Sequence, residues 1–472
     1  MDFITSDLVI GFTAIIYLIA LINILRIVRQ DLSPGAALSW ILINAAFPLL
    51  GVPLYYFLGQ SKITGYVKQR NLIPKSTEKH AGGISKGPRL PSYAMTMVAS
   101  LSKLDELYQA FPGEADLMID GKEAFPEIFK AIGEAKEYIL VQYYILKQDR
   151  LGLELKGLLE SKAARGIKVY LLIDDWGSFG LGRRYVRDLK KAGVKVVRFL
   201  PVGLRFSFQV NFRNHRKLVL IDGKVAFTGG LNMGVEYLGN KKAGHWRDTH
   251  LKLTGPCLGP LITTFIEDWN FASKKDLSSV ISFPEVSINP EKAKWIQTIS
   301  FGPGDDLPSG GLTLFTQAIH SAKESLWIAT PYLIPDSILE NALIMAALRG
   351  VKIRILIPQK ADSKLVHMVS LVHGERLKKY AEIFLYTNGF MHQKVILIDK
   401  SSSIIGTSNF DNRSIYLNFE TSLVIHNQKF ASKVAAMLEK DFSNAVPMSQ
   451  KRPLRGFTKK FSRFIRLLGP LF

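Results

Sequence analysis

Two histidines, each followed two residues later by a lysine, stand in the segments NHRKLVLIDGKVAFTGGLN (214–232) and MHQKVILIDKSSSIIGTSN (391–409). In both copies four apolar residues separate the lysine from an aspartate, Asp222 or Asp399. A glycine comes seven residues after the aspartate, and an asparagine seventeen after the histidine. Side chains two apart on a strand leave the same face, so His215 with Lys217, and His392 with Lys394, project as pairs. A neutral imidazole can act as nucleophile or as acid–base group near pH 7. The neighbouring ammonium can stabilise a developing oxyanion. That pairing suits displacement at a phosphate diester, which is anionic before, during and after attack. Asp222 and Asp399 complete the catalytic motif but fall at odd spacing, and Asp222-Gly223 reads as a hairpin turn. Their expected role is to hold neighbouring elements by hydrogen bonds. Asn232 and Asn409 follow glycine turns and offer amide donors to phosphate oxygens.

One His-x-Lys with a following Asp is a weak signal; two copies with matched Gly and Asn are not coincidence. The copies sit in a longer duplication. EAKEYILVQYYI and KAARGIKVYLLIDD in the first half answer to SAKESLWIATPYLIP and AALRGVKIRILIPQ in the second. In each half a helix stops at Arg-Gly, a usual stop signal. A short apolar strand follows, as in a sheet covered on both faces. The alternation predicts an α/β/α sandwich per half, at 111–275 and 276–450.

Other residues carry less. The run 174–178 (Asp-Asp-Trp-Gly-Ser) follows a strand end and reads as a binding loop or as a plain turn. Tyr144 and Tyr332 occupy matched strand ends, for a headgroup pocket or, more simply, for packing. Arg216 has the wrong parity to share the pocket of His215. Cys257 alone permits no intrachain disulfide and reads as a packed thiol. No metal-ligand spacing such as His-Glu-x-x-His occurs.

This doubled constellation resembles the phospholipase D superfamily over about residues 110–450. The resemblance implies two pseudo-symmetric α/β/α domains pooling both motifs in one active site, without metal or other cofactor. It also implies that Asp248 and Glu420, in the matching DTHL and ETSL segments, each orient the opposite histidine. RNHRKLVLIDG, TGGLN, HWRDTH, PYLIPD and TSNFDNRS narrow the resemblance to the bacterial cardiolipin synthases. There phosphatidylglycerol is the substrate, and phosphatidyl transfer passes through a phosphatidyl-histidine. Two departures from the pattern are Gly230, where a hydroxyl residue is common and Thr407 stands in the second half, and Val235 beside Glu236. A phospholipase D or another phosphatidyltransferase, a metal-independent nuclease, and an inactive membrane-binding scaffold are the other readings.

The flanks favour a membrane. Residues 4–25 are apolar and long enough to span a bilayer. A leader peptide would want basic residues where Asp2 and Asp7 stand, and a small-residue cleavage site that does not follow. A second apolar stretch, 36–58, has Trp40 and Tyr55-Tyr56 near its ends, as in an aromatic belt, and Pro48, Gly51 and Pro53 to kink it. Residues 1–60 are thus expected to form a two-helix membrane hairpin, and 61–110 a basic linker. Lys62, Lys68, Arg70, Lys75 and Lys79 outweigh Arg26 and Arg29, which puts the ends and the domains on the cytoplasmic side. The tail 451–472, with seven basic residues and no acid, reads as an interfacial amphipathic helix or a solvated basic segment. A formal net charge of +21 over 472 residues calls for a polyanion. With these segments the partner expected is an anionic membrane rather than nucleic acid, and an oligomer is compatible.

Overall fold

The computed structural model describes residues 2–30, 34–59, 62–63, 65–66, 89–201, 211–239, 244–281, 283, 288–303 and 310–450. The basic tail and residues 61, 64 and 67–88 of the basic linker lie outside the described residues. The chain divides into two compact units, one holding residues 1–64 and 200–212, the other holding the rest.

In the first unit, α1 (Asp2–Val28), α2 (Pro34–Ala46) and α3 (Pro48–Leu58) are apolar helices. Within α1, Ile10–Val28 is long and apolar enough to cross a membrane, at a mean hydropathy of 2.2. The predicted second span is not one helix. A residue before proline is pushed out of the helical region, and Phe47, preceding Pro48, sits at φ −135° and ψ 64°. The break leaves two helices of 13 and 11 residues, each shorter than a bilayer requires. α1 packs on both, and Asn23 donates to Asn44 at 3.5 Å, both side chains buried.

The second unit is built on one continuous mixed sheet. Its first half contains β1 (Ala110–Ile119), β2 (Tyr138–Tyr143), β3 (Lys168–Asp174), β4 (Lys195–Phe199), β5 (Arg213–Asn214), β6 (Leu218–Ile221), β7 (Val225–Gly229), β8 (Trp246–Arg247) and β9 (Thr249–Thr254). The helices here are α4 (Ser92–Ser102), α5 (Asp120–Glu134), α6 (Arg150–Ala164), α7 (Arg183–Lys191) and α8 (Leu258–Ser273). The second half contains β10 (Lys294–Phe301), β11 (Ser325–Ala329), β12 (Leu333–Ile334), β13 (Lys352–Pro358), β14 (Glu382–Tyr386), β15 (Phe390–Met391), β16 (Val395–Ile398), β17 (Ser402–Gly406), β18 (Phe410–Asp411), β19 (Asn418–His426) and β20 (Ala445–Pro447). Its helices are α9 (Gly310–Ser321), α10 (Ser337–Leu348), α11 (Lys364–Leu377), α12 (Asn412–Tyr416) and α13 (Gln428–Ser443).

Strand order repeats between the halves. β1-β9-β7-β6-β2-β3-β4 matches β10-β19-β17-β16-β11-β13-β14, and β1 pairs antiparallel with β10 at the centre. β2 and β16 are buried along their whole length and, apart from Gln142, Tyr138 and Tyr143, wholly aliphatic, because helices cover both faces. Parallel neighbours such as β2-β3-β4 are joined through α6 and α7, the crossover that parallel pairing requires. Among the described residues the two large apolar cores lie around Ile139, Val141 and Leu171 and around Ile328, Ile355 and Ile396.

Candidate active site

The histidines lie just upstream of β6 and β16, where two short parallel pairings tie each half to the other. β5 pairs with the start of β19, and the His215 amide donates to the Phe419 carbonyl at 2.9 Å. β15 pairs with β8, and the His392 amide donates to the Arg247 carbonyl at 2.8 Å. In each case the residue after that carbonyl is acidic. The crossed register therefore delivers Glu420 to His215 and Asp248 to His392. His215 Nδ1 lies 2.9 and 3.0 Å from the two Glu420 oxygens. His392 Nδ1 lies 2.8 Å from Asp248 Oδ2. Both carboxylates are fully buried. A carboxylate at Nδ1 fixes the tautomer with the proton there, and so leaves Nε2 as the free lone pair of the neutral ring.

Lys217 Nζ donates to the His215 carbonyl at 2.6 Å. Lys394 Nζ donates to the His392 carbonyl and lies 3.0 and 3.1 Å from the two ring nitrogens. The halves also feel each other's charge. Burial is the main cause that holds His215 down at about 4, and Glu420 opposes it; Lys217 and, from the other half, Lys394 add to the lowering. His392 is likewise lowered, by burial, by Lys394 and by Lys217 across the boundary, against Asp248. Lys394 is brought down to about 8 by burial, opposed by Asp248 and Glu420, and Lys217 is held well below the usual lysine range for the same first reason. Burial would raise Glu420, but His215, Lys217 and the Thr407 hydroxyl hold it at about 2. At neutral pH the site thus presents neutral imidazoles and ionised carboxylates, beside lysines whose charged form a bound anion would favour.

Asp222 and Asp399, grouped by sequence with the catalytic residues, stand at the opposite ends of β6 and β16 from the histidines. Asp222 accepts the amides of Lys136, Glu137 and Tyr138 at 2.8 Å each. Asp399 accepts those of Lys323, Glu324 and Ser325 at 2.8–2.9 Å. Each carboxylate pins the entry to the strand beside the motif strand. Their hydrogen bonds are those of anchors for these strand entries. Both sit in hairpin turns with positive φ, 52° at Asp222 and 49° at Asp399. Such turns want φ > 0 at both central residues. Gly223 supplies the second without strain, whereas Lys400 adopts φ 50° in the other copy.

The asparagines are engaged within the protein. Asn232 donates to the Tyr237 hydroxyl at 2.9 Å and accepts from the Ile145 amide at 3.3 Å. Asn409 donates to Asp411 at 3.1 Å. Each amide group carries a second N–H beyond those bonds. Tyr144, for which packing was the simpler expectation, lies edge-on to the His215 ring at 4.9 Å, and Lys217 Nζ sits 5.3 Å from its centroid. Tyr332 instead donates to Asp362 at 2.7–2.8 Å. In the run 174–178, Asp174 accepts the amides of Trp176 and Gly177 and, at 2.9 Å, that of Asn214, next to His215. That segment is a turn which also fixes the approach to the motif. Arg216 points away from the imidazole, as its parity requires, and pairs with Asp268 through contacts of 2.6 Å. Its guanidinium also donates to the carbonyls of Glu420 and Phe301.

Sequence reasoning missed Tyr237, Trp246 and Phe390, whose rings lie 5.7–5.9 Å from that of His392. It also missed the Arg247–Asp441 pair at 2.9 Å. Trp246 and Arg247 adjoin Asp248, so the HWRDTH segment was the available signal. Nothing in the spacing marks Asp441. The departure at Gly230 has a physical cause. A Cβ there would lie 1.9 Å from Asp248 Oδ1. In the second half Thr407 instead donates its hydroxyl to Glu420 at 2.5 Å.

Two histidines, each held by a carboxylate from the opposite half and attended by a lysine, form the candidate site of a phospholipase D-like fold. The sequence matches the family described as "Cardiolipin synthase, PLD-like domain" over residues 128–242 and 315–442, and "Phospholipase_D-nuclease N-terminal" over 15–60. It is 36% identical to cardiolipin synthase A of Pseudomonas fluorescens (strain SBW25) over 100% of both chains. To the cardiolipin synthase of Alkalihalophilus pseudofirmus it is 34% identical, over 98% of this chain and 94% of that one. Among solved structures, the phosphatidylserine synthase of Haemophilus influenzae shares the fold at TM-score 0.60 and 16% identity, covering 80% of this chain and 100% of that one. The chain belongs to the cardiolipin synthase family.

Proposed function

We propose that this protein makes cardiolipin by moving a phosphatidyl group from one phosphatidylglycerol to another, with release of glycerol. The observation that carries the reading is the pair of crossed histidine–carboxylate contacts, 2.9 Å at His215 and 2.8 Å at His392. His215 Nε2 attacks the phosphorus of the first lipid, and the bond to the glycerol oxygen breaks. His392, protonated as the anionic diester arrives, gives its proton to the departing alkoxide, while Asp248 stabilises its charged form. A phosphatidyl-histidine remains. The free hydroxyl of a second phosphatidylglycerol then attacks phosphorus, His392 takes its proton, and the P–N bond breaks to free His215. One phosphodiester replaces another, so no ATP is consumed. We assign attack to His215 because both oxygens of Glu420 hold its Nδ1. Lys217 and Lys394 meet the extra negative charge of the phosphorane, and Asn232 and Asn409 offer their remaining N–H to phosphate oxygens. Asp222 and Asp399 keep the motif strands in place.

The test is to supply the purified protein with labelled phosphatidylglycerol in vesicles and identify lipid and water-soluble products. Cardiolipin and glycerol should appear in step. Phosphatidic acid as the main product would mean that water is the acceptor and would sink the synthase reading. His215→Ala and His392→Ala should each abolish turnover, and only His392→Ala should retain the capacity to trap phosphate label on protein. We further propose that the ends of the apolar helical region and the catalytic unit face the cytoplasm, by the basic excess after residue 60. Protease accessibility of the catalytic unit in sealed inverted vesicles checks that orientation.

A further inference from the structure

One surface of the first half has no part in the chemistry above. The turn after β3 carries Trp176 and Phe179, whose relative exposures are 56% and 79%. α7 follows directly, with the sequence RRYVRDLKK. It buries Tyr185 and Leu189 in the core and leaves Arg183, Arg184, Arg187, Lys190 and Lys191 exposed. Its one acid, Asp188, lies 3.9 and 4.0 Å from Arg184 and Arg187 and 3.6 Å from Lys156. Arg198 lines the same face but is paired with Asp175 at 2.5 Å. Five cations against one acid on a helix, with two large aromatic side chains at its head, are poorly explained by solvation alone. An isolated basic face is common, and so is an isolated exposed aromatic; their junction in sixteen consecutive residues is the chemistry of the membrane interface.

We propose that residues 176–191 form a second membrane contact, in which Trp176 and Phe179 enter the headgroup region of an anionic bilayer and the basic face of α7 binds its acidic headgroups. The contact is joined to the site. Asp174 at the base of the turn holds the Asn214 amide, Ser178 donates to the Tyr144 carbonyl at 3.0 Å, and the Arg213 guanidinium lies 5.5 Å from the Trp176 ring. Seating this turn on the bilayer brings the rim of the His215 side of the site to the plane where lipid headgroups lie. The inference does not depend on which reaction the histidines perform.

The test uses the full chain, reconstituted, with Cys257 replaced by Ala so that Phe179→Cys carries the only thiol, labelled with an environment-sensitive dye. Vesicles of phosphatidylcholine alone are compared with vesicles containing phosphatidylserine, which is acidic without being the proposed substrate. The dye emission should shift to shorter wavelength only in the acidic vesicles, and the shift should vanish at high salt. Each basic residue near an acidic surface contributes about fivefold to attraction. The variant R184Q/R187Q/K190Q/K191Q should therefore weaken the docked state at least a hundredfold, and R184Q/R187Q or K190Q/K191Q alone about tenfold or more. The variants should keep phosphatidyl transfer in detergent micelles, which shows that they fold. No shift in acidic vesicles, or the same shift in both vesicle types, would overturn the proposal. A comparable shift produced in detergent by a single-stranded oligonucleotide would overturn it in favour of nucleic acid.

Discussion

Gly230 is the sharpest place to perturb the site without touching a reacting group. Its φ is not positive, so φ alone does not demand glycine, and the three atoms nearest a Cβ there all belong to the carboxylate of Asp248. A Cβ would lie 1.9 Å from Oδ1, 2.6 Å from Cγ and 2.7 Å from Oδ2. Ordinary contact requires Asp248 to retreat by about 1.5 Å. Asp248 now holds His392 Nδ1 at 2.8 Å and the Thr249 amide at 2.8 Å, and neither bond survives such a move. A hydrogen bond involving a charged group contributes about 1.5–3 kcal/mol. Losing the one to His392 only in the charged transition state lowers kcat by about ten- to 150-fold. Gly230→Ala should therefore cut kcat within that range, and Gly230→Thr, which copies Thr407, should cut it at least as far. The drop should persist in protein that melts cooperatively, after allowance for about 1–3 kcal/mol of overpacking. KM should move less, because the carboxylate acts on His392 rather than on bound lipid. Initial rates across substrate concentration, beside a thermal melt, read all of this. Full activity in either variant would refute the idea that Asp248 orients His392 from a space kept open by glycine.

Asp222→Ala removes an acceptor of three buried or half-buried amides and should destabilise the protein by about 3 kcal/mol or more. Its specific activity per folded molecule should stay near the parent value, as measured by denaturant unfolding beside active-site titration. Lys400→Gly relieves a left-handed residue at φ 50°; strain relief of about 1–2 kcal/mol, less about 0.5–1 for glycine's freedom in the unfolded chain, should raise Tm slightly. His215, His250 and His426 are each held at about 4, chiefly by burial. The unfolded chain binds their protons first, so their stabilisation is complete above about 6.5 and drains away as pH falls toward 4. Glu420, at about 2, adds loss only below about 4.5. Denaturant midpoints should fall steeply from pH 7 to pH 4.5, and an unchanged midpoint would contradict the burial of neutral imidazoles.

Much of the site was legible because repetition substitutes for comparison. Two copies of one spacing marked His215, Lys217, His392 and Lys394, and strand parity separated Arg216 from the pocket. Parity also warned that Asp222 and Asp399 do not share the face of the imidazoles, and the turn chemistry at Asp222-Gly223 located them at a strand end. The break at Phe47 follows from Pro48, yet local rules gave only a kink, because helix lengths depend on which neighbours α1 offers. Tyr237, Asp268 and Asp441 were out of reach for another reason. Each meets its partner through tertiary placement: Asp441 lies 194 residues from Arg247, and no period along the chain encodes that distance.

The crossed register makes each half depend on the other. His215 takes its carboxylate from β19 and His392 takes its own from the loop before β9, so splitting the halves strands each imidazole without the group that sets its tautomer. The same exchange explains why the two carboxylates differ. Glu420 reaches His215 from the strand itself and has Thr407 to bind its second face. Asp248 is one methylene shorter, its backbone amide is held by Asp120 at 2.9 Å, and it reaches His392 only by occupying the space that a side chain at 230 would need. Exchanging the two acids should therefore fail even though both are carboxylates: Asp248→Glu has no room beside Gly230, and Glu420→Asp falls short of His215. A protein carrying both exchanges that kept parental turnover would show that charge alone, and not the reach of each side chain, sets the histidines.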